Sequence, residues 1–400
     1  MTNLLNYTLF KLETRTEWKS SYVRLVFIAI FISNPFLKAQ NATSPAISFS
    51  GGYTFDLAAN MSGGVKQGTA YLGNIDVNFE LNTETLNLWK GGRFFMYLLN
   101  NHGNSLSALI GDFQVANNIE AESNTRLYEF WYEHKFQFWS VLIGQHDLNS
   151  TFAVSETGLF FINSSFGIQP DISTNVPVSI FPLATLGAVF SWGLGENFKV
   201  QHAVYDGDPG SENENPNSLN WSLNKKDGAM FINEISYEIK KDSLLQSTIK
   251  LGYWKHTQDQ KINNKIVPNS QGIYLIGDQF LFRNDASNAT LKVFFQGGIS
   301  LKNHNPTQGY LGGGFLYKGI SSKRLNDGIG LAAAHTLFSK SYQSLFPDGL
   351  KNETAIELSY QWITQRRWTF QPNFQYVINP GSDSGLPNAL MGLVRLKYDW

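Results

Sequence analysis

The chain of 400 residues contains no cysteine, and only 16% of its residues carry charge. The absence of cysteine excludes a disulfide scaffold, thiol catalysis and thiolate metal sites. A formal net charge of −1 offers no basic footprint for nucleic acid. The mean hydropathy of −0.21 is too polar for a bundle of membrane helices. Sustained helical periodicity is also missing, which leaves the all-β classes.

Aromatic residues and glycine are abundant. Aromatics make up 14% of the chain, and glycine occurs 35 times, so the composition is not that of a disordered protein. Two classes fit it, a large soluble all-β protein and a transmembrane β-barrel. A barrel exposes only every second strand residue to lipid and is therefore polar on average.

Residues 1–40 have the pattern of a signal peptide. Lys19 and Arg24 precede an apolar run over residues 25–32, and the small residue Ala39 follows. Eight apolar residues are too few to span a bilayer as a helix, although they suit a buried N-terminal strand as the alternative. We therefore expect export to the periplasm and a single mature domain over residues 41–400.

Alternation with period two dominates the rest of the sequence. Between residues 74 and 82, for example, Ile75, Val77 and Phe79 fall on one face, and Asp76 and Asn78 on the other. Alternation bounded by turn residues predicts about sixteen antiparallel strands, at 48–62, 69–82, 93–103, 126–136, 139–149, 186–194, 198–206, 228–240, 244–256, 272–283, 289–300, 308–319, 327–338, 351–364, 368–379 and 389–400.

The connections between these strands are sorted by length. Those after even-numbered strands are mostly short, as at 137–138 and 195–197, and those after odd-numbered strands are long, as at 104–125 and 150–185. An outer-membrane barrel has this arrangement, whereas a soluble sandwich has no reason to sort its loops. The uncharged stretch 172–195 is long enough for a membrane helix, but its prolines favour a loop that runs into the sixth strand.

The last predicted strand ends on an aromatic residue. Its apolar face continues at every second position to Tyr398 and Trp400, while Lys397 and Asp399 point the other way. The machinery that assembles outer-membrane barrels recognises such a terminus. We therefore expect Tyr398 and Trp400 to form the assembly signal and the assembly machinery to be a partner.

No enzyme motif is present. The sequence has neither HExxH nor GxSxG, and its seven histidines lack the spacing of metal ligands. Gly328, Gly330 and Ala333 match GxGxxA but lie on a predicted strand with no helix after it. The acidic run over residues 206–214 fits a solvated loop better than a calcium loop. We expect no catalysis, no cofactor and no metal.

The strand faces opposite the predicted lipid side mix charges, amides and tryptophan. Carboxylates, amides and arginine can hydrogen-bond to sugar hydroxyls, and an aromatic ring can pack on a pyranose. Alternatively, polarity serves only to solvate a wide lumen. These inward-facing residues are Glu129, Trp131, Glu133, Lys199, Gln201, Glu234, Glu238, Lys250, Trp254, Lys292, Gln296, Glu357, Gln361, Gln371, Asn373, Gln375 and Arg395.

Several long segments resemble one family. They are Leu109–Phe152, including GDFQ at 111–114 and LYEFWYE at 127–133; FINSSFG at 161–167; and QPNFQYVINPG at 371–381. These segments resemble the carbohydrate-selective porins of the OprB family. The resemblance implies a sixteen-stranded outer-membrane barrel that admits glucose-like sugars by passive diffusion, with extracellular loops folded into the pore.

The resemblance also implies where the pore is narrow. Residues 150–185 form the expected constriction loop, with Glu156, Asn163, Ser164 and Phe166 as candidates, and residues 104–125 add a second set, Asp112, Gln114, Asn118 and Glu120. The arginines available for an arginine-lined constriction are Arg93, Arg126 and Arg395.

Three functions are consistent with these observations. The first is a porin that prefers small carbohydrates, the second is a general or weakly ion-selective pore of the same fold, and the third is a secreted soluble binding protein. For the porins, the expected partners are small carbohydrates, outer-membrane lipid and the assembly machinery. A monomer and a homotrimer both remain open.

Overall fold

The computed structural model describes residues 45–400 except for residues 212, 214, 241–245, 263–264, 268, 285–288, 322, 347 and 365. The signal peptide expected over residues 1–40 lies outside the described residues. Sixteen antiparallel strands form a closed barrel. They are β1 (Ile47–Ser62), β2 (Gly68–Asn82), β3 (Gly92–Gly103), β4 (Asn124–Lys135), β5 (Trp139–His146), β6 (Thr185–Leu194), β7 (Phe198–Asp206), β8 (Ala229–Lys240), β9 (Gln246–His256), β12 (Ser270–Arg283), β13 (Thr290–Ser300), β14 (Thr307–Lys318), β15 (Gly328–Phe338), β16 (Asn352–Ile363), β17 (Trp368–Ile378) and β18 (Ala389–Asp399).

The loop after β9 carries a two-stranded hairpin outside the barrel. It consists of β10 (Gln260–Ile262) and β11 (Lys265–Val267). The sequence did not predict this hairpin, because strands of three residues are too short to show alternation. All sixteen predicted barrel strands are confirmed, although β5 ends at His146 instead of residue 149.

Antiparallel pairing between the first and last strands closes the barrel. Leu57 lies opposite Val394 and Asp56 opposite Arg395, so the two strands share the same inward and outward faces. Apolar side chains such as Leu57 and Leu396 are exposed on the outer face, while Asp56 is buried inside. Closure leaves no free edge along this seam.

The long loops lie together at one rim of the barrel, which we call the loop rim, and the tight turns lie at the other, the turn rim. Two loops at the loop rim matter for function. L34 denotes residues 104–123 between β3 and β4, and L56 denotes residues 147–184 between β5 and β6. The barrel wall is uneven in height, since β5, β6 and β7 have 8, 10 and 9 residues, whereas β1 has 16.

Helices are short and belong to the loops. They are α1 (Ser107–Ile110) in L34, α2 (Pro170–Ser173) in L56 and α3 (Lys340–Gln343) after β15. In the part of the chain that the structure describes, no helix is long and apolar enough to cross a membrane. The stretch 172–195 is instead the end of α2, a loop and β6, as predicted.

Both loops fold into the barrel and form its interior core. Phe160, Phe161 and Phe166 of L56 pack in one buried cluster with wall residues such as Phe294 and Ala334. The wall makes room by using glycine: a Cβ at Gly330 would lie 2.7 Å from the Phe161 ring, and one at Gly298 would lie 2.4 Å from Cγ of Asp171. The small inward-facing residues therefore fix where L56 can lie.

Candidate functional site: a lumen narrowed by two tethered loops

Carboxylates on the barrel wall hold L56 by its backbone. Charge-assisted hydrogen bonds of this kind are among the stronger ones in proteins. They anchor residues 153–163 along the wall from β8 to β16. The bonds run from the N–H of Ala153 to Glu234 (3.0 Å), from those of Glu156 and Thr157 to Asp278 (3.1 and 2.9 Å), and from those of Ile162 and Asn163 to Glu357 (2.7 and 2.9 Å).

Donors on the wall bind the carbonyl groups of the same loop. Lys250 Nζ donates to the Val154 carbonyl at 2.8 Å, and Gln371 Nε2 donates to that of Phe160 at 2.9 Å. Gln296 and the Tyr310 hydroxyl bind the returning part of the loop, at the carbonyls of residues 166 and 165. L56 is thus a ledge along the wall, with its backbone polar groups paired to side chains.

Glu357 is the most heavily used of these carboxylates. Besides the two backbone N–H groups, it accepts from the Ser359 hydroxyl at 3.0 Å and from Asn373 Nδ2 at 2.6 Å. Four donors surround one fully buried carboxylate. The four donors engage both oxygens of this buried carboxylate, so neither is free to bind a solute.

L34 is held in the same manner at the neighbouring part of the wall. Glu353 accepts the backbone N–H groups of Phe113 and Gln114 at 2.7 and 2.9 Å. Arg395 forms a bidentate pair with Asp56 and also donates to Asn118 Oδ1 at 2.8 Å. In addition, Nε2 of Gln375 binds the carbonyl of residue 116. The tethers of the two loops are therefore distributed along the interior wall from β8 round to β1.

The tethers revise the sequence-based expectation for many predicted pore residues. Those on the strands face inward as predicted but lie beneath the loops, and those in the loops are buried against the wall. Both groups hold the constriction in place and do not face open lumen. Trp254 on the wall and Phe166 in L56 are completely buried, so neither ring is exposed to the lumen. The covered residues are Gln114, Asn163, Phe166, Glu234, Trp254, Glu357 and Gln375.

Trp131 belongs to an ordered network on β3 and β4. Arg93 lies over its ring at 4.7 Å, Phe95 stacks on it at 4.8 Å, and its Nε1 donates to Glu129 at 2.9 Å. Arg93 also pairs with Glu133 at 2.9 Å. The predicted residues Glu129, Trp131 and Glu133 therefore position Arg93, and the Trp131 ring is already in contact with two side chains.

The interior wall at β2 and β3 receives none of the tethering hydrogen bonds described above, although Tyr97 packs near Ala184 and Phe181 of L56. Here Asp76, Asn78, Glu80, Arg93 and Tyr97 point inward and keep part of their surface exposed, with side-chain exposure of 35% for Glu80 and 34% for Arg93. Glu80 and Arg93 form an ion pair at 3.2 Å. Asp76, Asn78 and Glu80 were not among the predicted site residues, although the alternation at 74–82 had placed these three on one polar face.

Two accessible features complete the lumen. Glu156 is exposed at the part of L56 where the adjacent backbone is tethered to Asp278. Lys292 and Lys318 lie on the inner face of β13 and β14, diagonally placed across the strand pair, and neither forms an ion pair with any residue that the structure describes. The remaining predicted residues, Asp112 and Asn118 of L34, are half-buried.

Asp171 is a buried acid in the returning part of L56. Its carboxylate packs against Gly298 and lies next to the Trp254 side chain. Burial raises the pKa of Asp171 from 3.8 to about 7, because removing an ionised carboxylate from solvent is costly and the Trp254 side chain offsets only part of that cost. We therefore expect the fit between L56 and the wall to depend on pH.

A closed sixteen-stranded barrel with an apolar outer face, sorted loops and a lumen narrowed from inside defines an outer-membrane porin. The sequence matches the family described as carbohydrate-selective porin, OprB family, over residues 66–399, and the chain belongs to this family. It is an outer-membrane porin for the passive diffusion of small sugars.

Solved structures show the same fold. The high-pH structure of Pseudomonas putida OprB is 19% identical, with a TM-score of 0.80 over 89% of this chain and 94% of that one. The outer-membrane channel DcaP of Acinetobacter baumannii is 9% identical, with a TM-score of 0.54 over 88% and 97%. OmpT of Vibrio cholerae in its trimer form is 10% identical, with a TM-score of 0.51 over 88% and 99%. A search of curated protein sequences gives no significant match.

Proposed function

We propose that sugars pass between the L56 ledge and the uncovered wall of β2 and β3. One observation carries this proposal: the loop tethers are distributed along the wall from β8 to β1, whereas Asp76, Glu80 and Arg93 on β2 and β3 keep inward exposure. Carboxylates accept hydrogen bonds from sugar hydroxyls, and Arg93 donates them. A sugar that hydrogen-bonds to both the carboxylates and Arg93 exchanges part of its hydration shell for these contacts as it enters.

The pore contacts proposed from the sequence take two roles in this scheme. Glu156 of L56 is exposed and contributes to the accessible rim of the constriction, whereas Asp112 and Asn118 of L34 are half-buried and bind neighbouring groups of the protein. The buried residues have a structural role, because they keep L56 and L34 against the wall and so set the pore width. Trp131 and Glu133 orient Arg93, supported by the 4.7 Å and 2.9 Å contacts.

Liposome swelling tests the route. The expected result is faster entry of glucose than of amino acids of similar size, with the advantage reduced several-fold in Arg93→Gln. Arg366→Gln is the matched control, because it removes the same charge from an exposed turn outside the lumen. Equal entry of sugars and amino acids in the unaltered protein would instead favour the general or weakly ion-selective pore.

The fold and family are those of channels, and no enzymatic activity is proposed. The export signal over residues 1–40 and the assembly signal at Tyr398 and Trp400 remain proposals. In support of the latter, Trp400 N–H donates to the Gly51 carbonyl at 3.0 Å, next to the closing seam of β1 and β18. N-terminal sequencing of the mature protein tests the former.

Homotrimer formation is a further proposal. The mass of the protein particle in detergent, measured by light scattering after size exclusion, separates a trimer from a monomer. A particle with the mass of one chain would remove the trimer and leave the sugar route unaffected.

A further inference from the structure

A loop on the outside of the barrel covers an open strand edge. Strand β4 begins at Asn124, but its pairing with β5 extends only over residues 130–135, because β5 is short. Residues 124–129 therefore have no neighbouring strand on that side. The covering segment is residues 215–226, part of the loop between β7 and β8, and we call it the strap.

The strap satisfies the free edge by hydrogen bonding. The N–H of Leu127 donates to the carbonyl of Asn217 at 3.0 Å, and Asn217 Nδ2 donates to the carbonyl of Thr125 at 2.6 Å. Unpaired backbone groups near the hydrocarbon region are costly, so these bonds stabilise the low part of the wall. They also hold the strap in one place.

Trp221 fixes the strap to the outer face of the barrel. Its ring lies parallel to that of Phe130, with an interplanar angle of 4° and centroids 6.2 Å apart. Its Nε1 donates to Gln145 Oε1 at 2.6 Å. A tryptophan with one polar end bonded and its ring against an outward-facing phenylalanine is typical of residues at the membrane–water boundary.

The strap keeps its other apolar side chains exposed. Leu219 and Leu223 are 64% and 69% exposed, and Trp221 is 45% exposed. A compact turn keeps these side chains exposed. In this turn the Asn220 N–H donates to Asn215 Oδ1 at 2.9 Å, and Asn215 Nδ2 donates to the Asn220 carbonyl. Through Phe130 this surface is continuous with the lipid-facing side of the barrel.

Two cations follow these apolar residues directly. Lys225 and Lys226 are exposed, and neither forms an ion pair with a residue within the described ranges. A basic pair beside exposed leucines matches the two parts of an anionic lipid, its acyl chains and its phosphate group.

We propose that the strap is a lipid-binding anchor at the loop rim. Leu219, Trp221 and Leu223 insert between acyl chains of the adjacent leaflet, and Lys225 and Lys226 bind the phosphate groups of anionic lipids. The anchor seals the sector where β5 to β7 are shortest. It is independent of the sugar pathway.

Spin labelling tests the anchor directly, because the chain has no cysteine of its own. Leu219→Cys and Leu223→Cys are labelled with a nitroxide in the full-length barrel, reconstituted in phosphatidylcholine vesicles with and without phosphatidylglycerol. Leu345→Cys is the matched control, a leucine also 69% exposed but on the loop between β15 and β16. Heat-modifiable migration on gels confirms that each variant is folded.

The proposal predicts that the strap labels are accessible to oxygen and protected from a water-soluble nickel chelate, whereas the control label is not. It also predicts deeper immersion with phosphatidylglycerol, lost in Lys225→Gln/Lys226→Gln. Strap labels as accessible to nickel as the control would overturn it. Strong dipolar coupling between labels on separate chains would also overturn it, in favour of a contact with a second copy.

Discussion

Replacing Glu357 by glutamine should loosen L56 without unfolding the barrel. The carboxylate accepts four hydrogen bonds, two of them from the backbone of Ile162 and Asn163 at 2.7 and 2.9 Å. Glutamine keeps one acceptor oxygen but places an NH₂ group where the other oxygen was. One buried backbone N–H then lies against another donor and loses its partner.

The size of the effect follows from that single lost bond. A buried donor left unpaired costs about 1 to 3 kcal/mol. If the cost falls on the docked state of the loop alone, the population of the undocked loop rises about 5- to 150-fold. The barrel strands keep their ladders, so global unfolding is a separate event with its own higher free energy.

Hydrogen exchange measured by mass spectrometry reads this population at the loop amides. The expected result for Glu357→Gln is faster exchange in peptides covering residues 158–165, with residues 113–114 unchanged. Glu353→Gln is the reciprocal control, because the native Glu353 carboxylate tethers residues 113 and 114 of L34 and not L56. If both variants leave both loops as protected as in the unaltered protein, wall carboxylates do not hold the loops.

Three further predictions concern pH, charge and assembly. Because burial raises the pKa of Asp171 to about 7, protonation of this carboxylate favours the docked loop. The free energy of docking should therefore weaken by an amount on the order of 4 kcal/mol as pH rises from about 4 to about 7. Asp171→Asn should abolish this pH dependence of hydrogen exchange in L56, and an unchanged pH dependence in the variant would refute the role of Asp171. Lys292→Gln/Lys318→Gln should move the reversal potential in a salt gradient toward cation preference, and no movement would mean that these lysines do not face the permeating ions. Trp400→Ala, or removal of residues 398–400, should lower the amount of folded barrel in the outer membrane, and undiminished heat-modifiable protein would argue against the assembly signal.

Alternation predicted the barrel well because it is a local property of the chain. In the strand pair β8 and β9, Glu234 and Trp254 face inward as their positions in the alternating pattern indicated. The same pattern carries no information about what covers a side chain. Burial of Trp254 depends on L56, more than 70 residues earlier in the sequence, and such long-range packing has no periodic signal.

Irregular backbone explains a second group of differences. The register between β3 and β4 shifts at Tyr97 and Leu98, so that β4 contains one extra residue there. As a result Tyr128 is buried in a cluster with Leu99 and Ala184, although strict alternation from Glu129 would have placed it on the lipid side. The sequence did not predict the strap for a similar reason. A loop that docks on the outer wall does not show the period-two alternation of a strand.

The central claim is that sugars bind transiently as they cross a lumen narrowed by L56 and lined by Glu80 and Arg93. Single-channel conductance during a glucose titration tests it most directly, with an uncharged non-sugar solute at matched viscosity as reference. We predict a saturable fall in ion current with glucose beyond the viscosity effect, and a weaker one in Arg93→Gln. A current that falls equally with both solutes would contradict the claim.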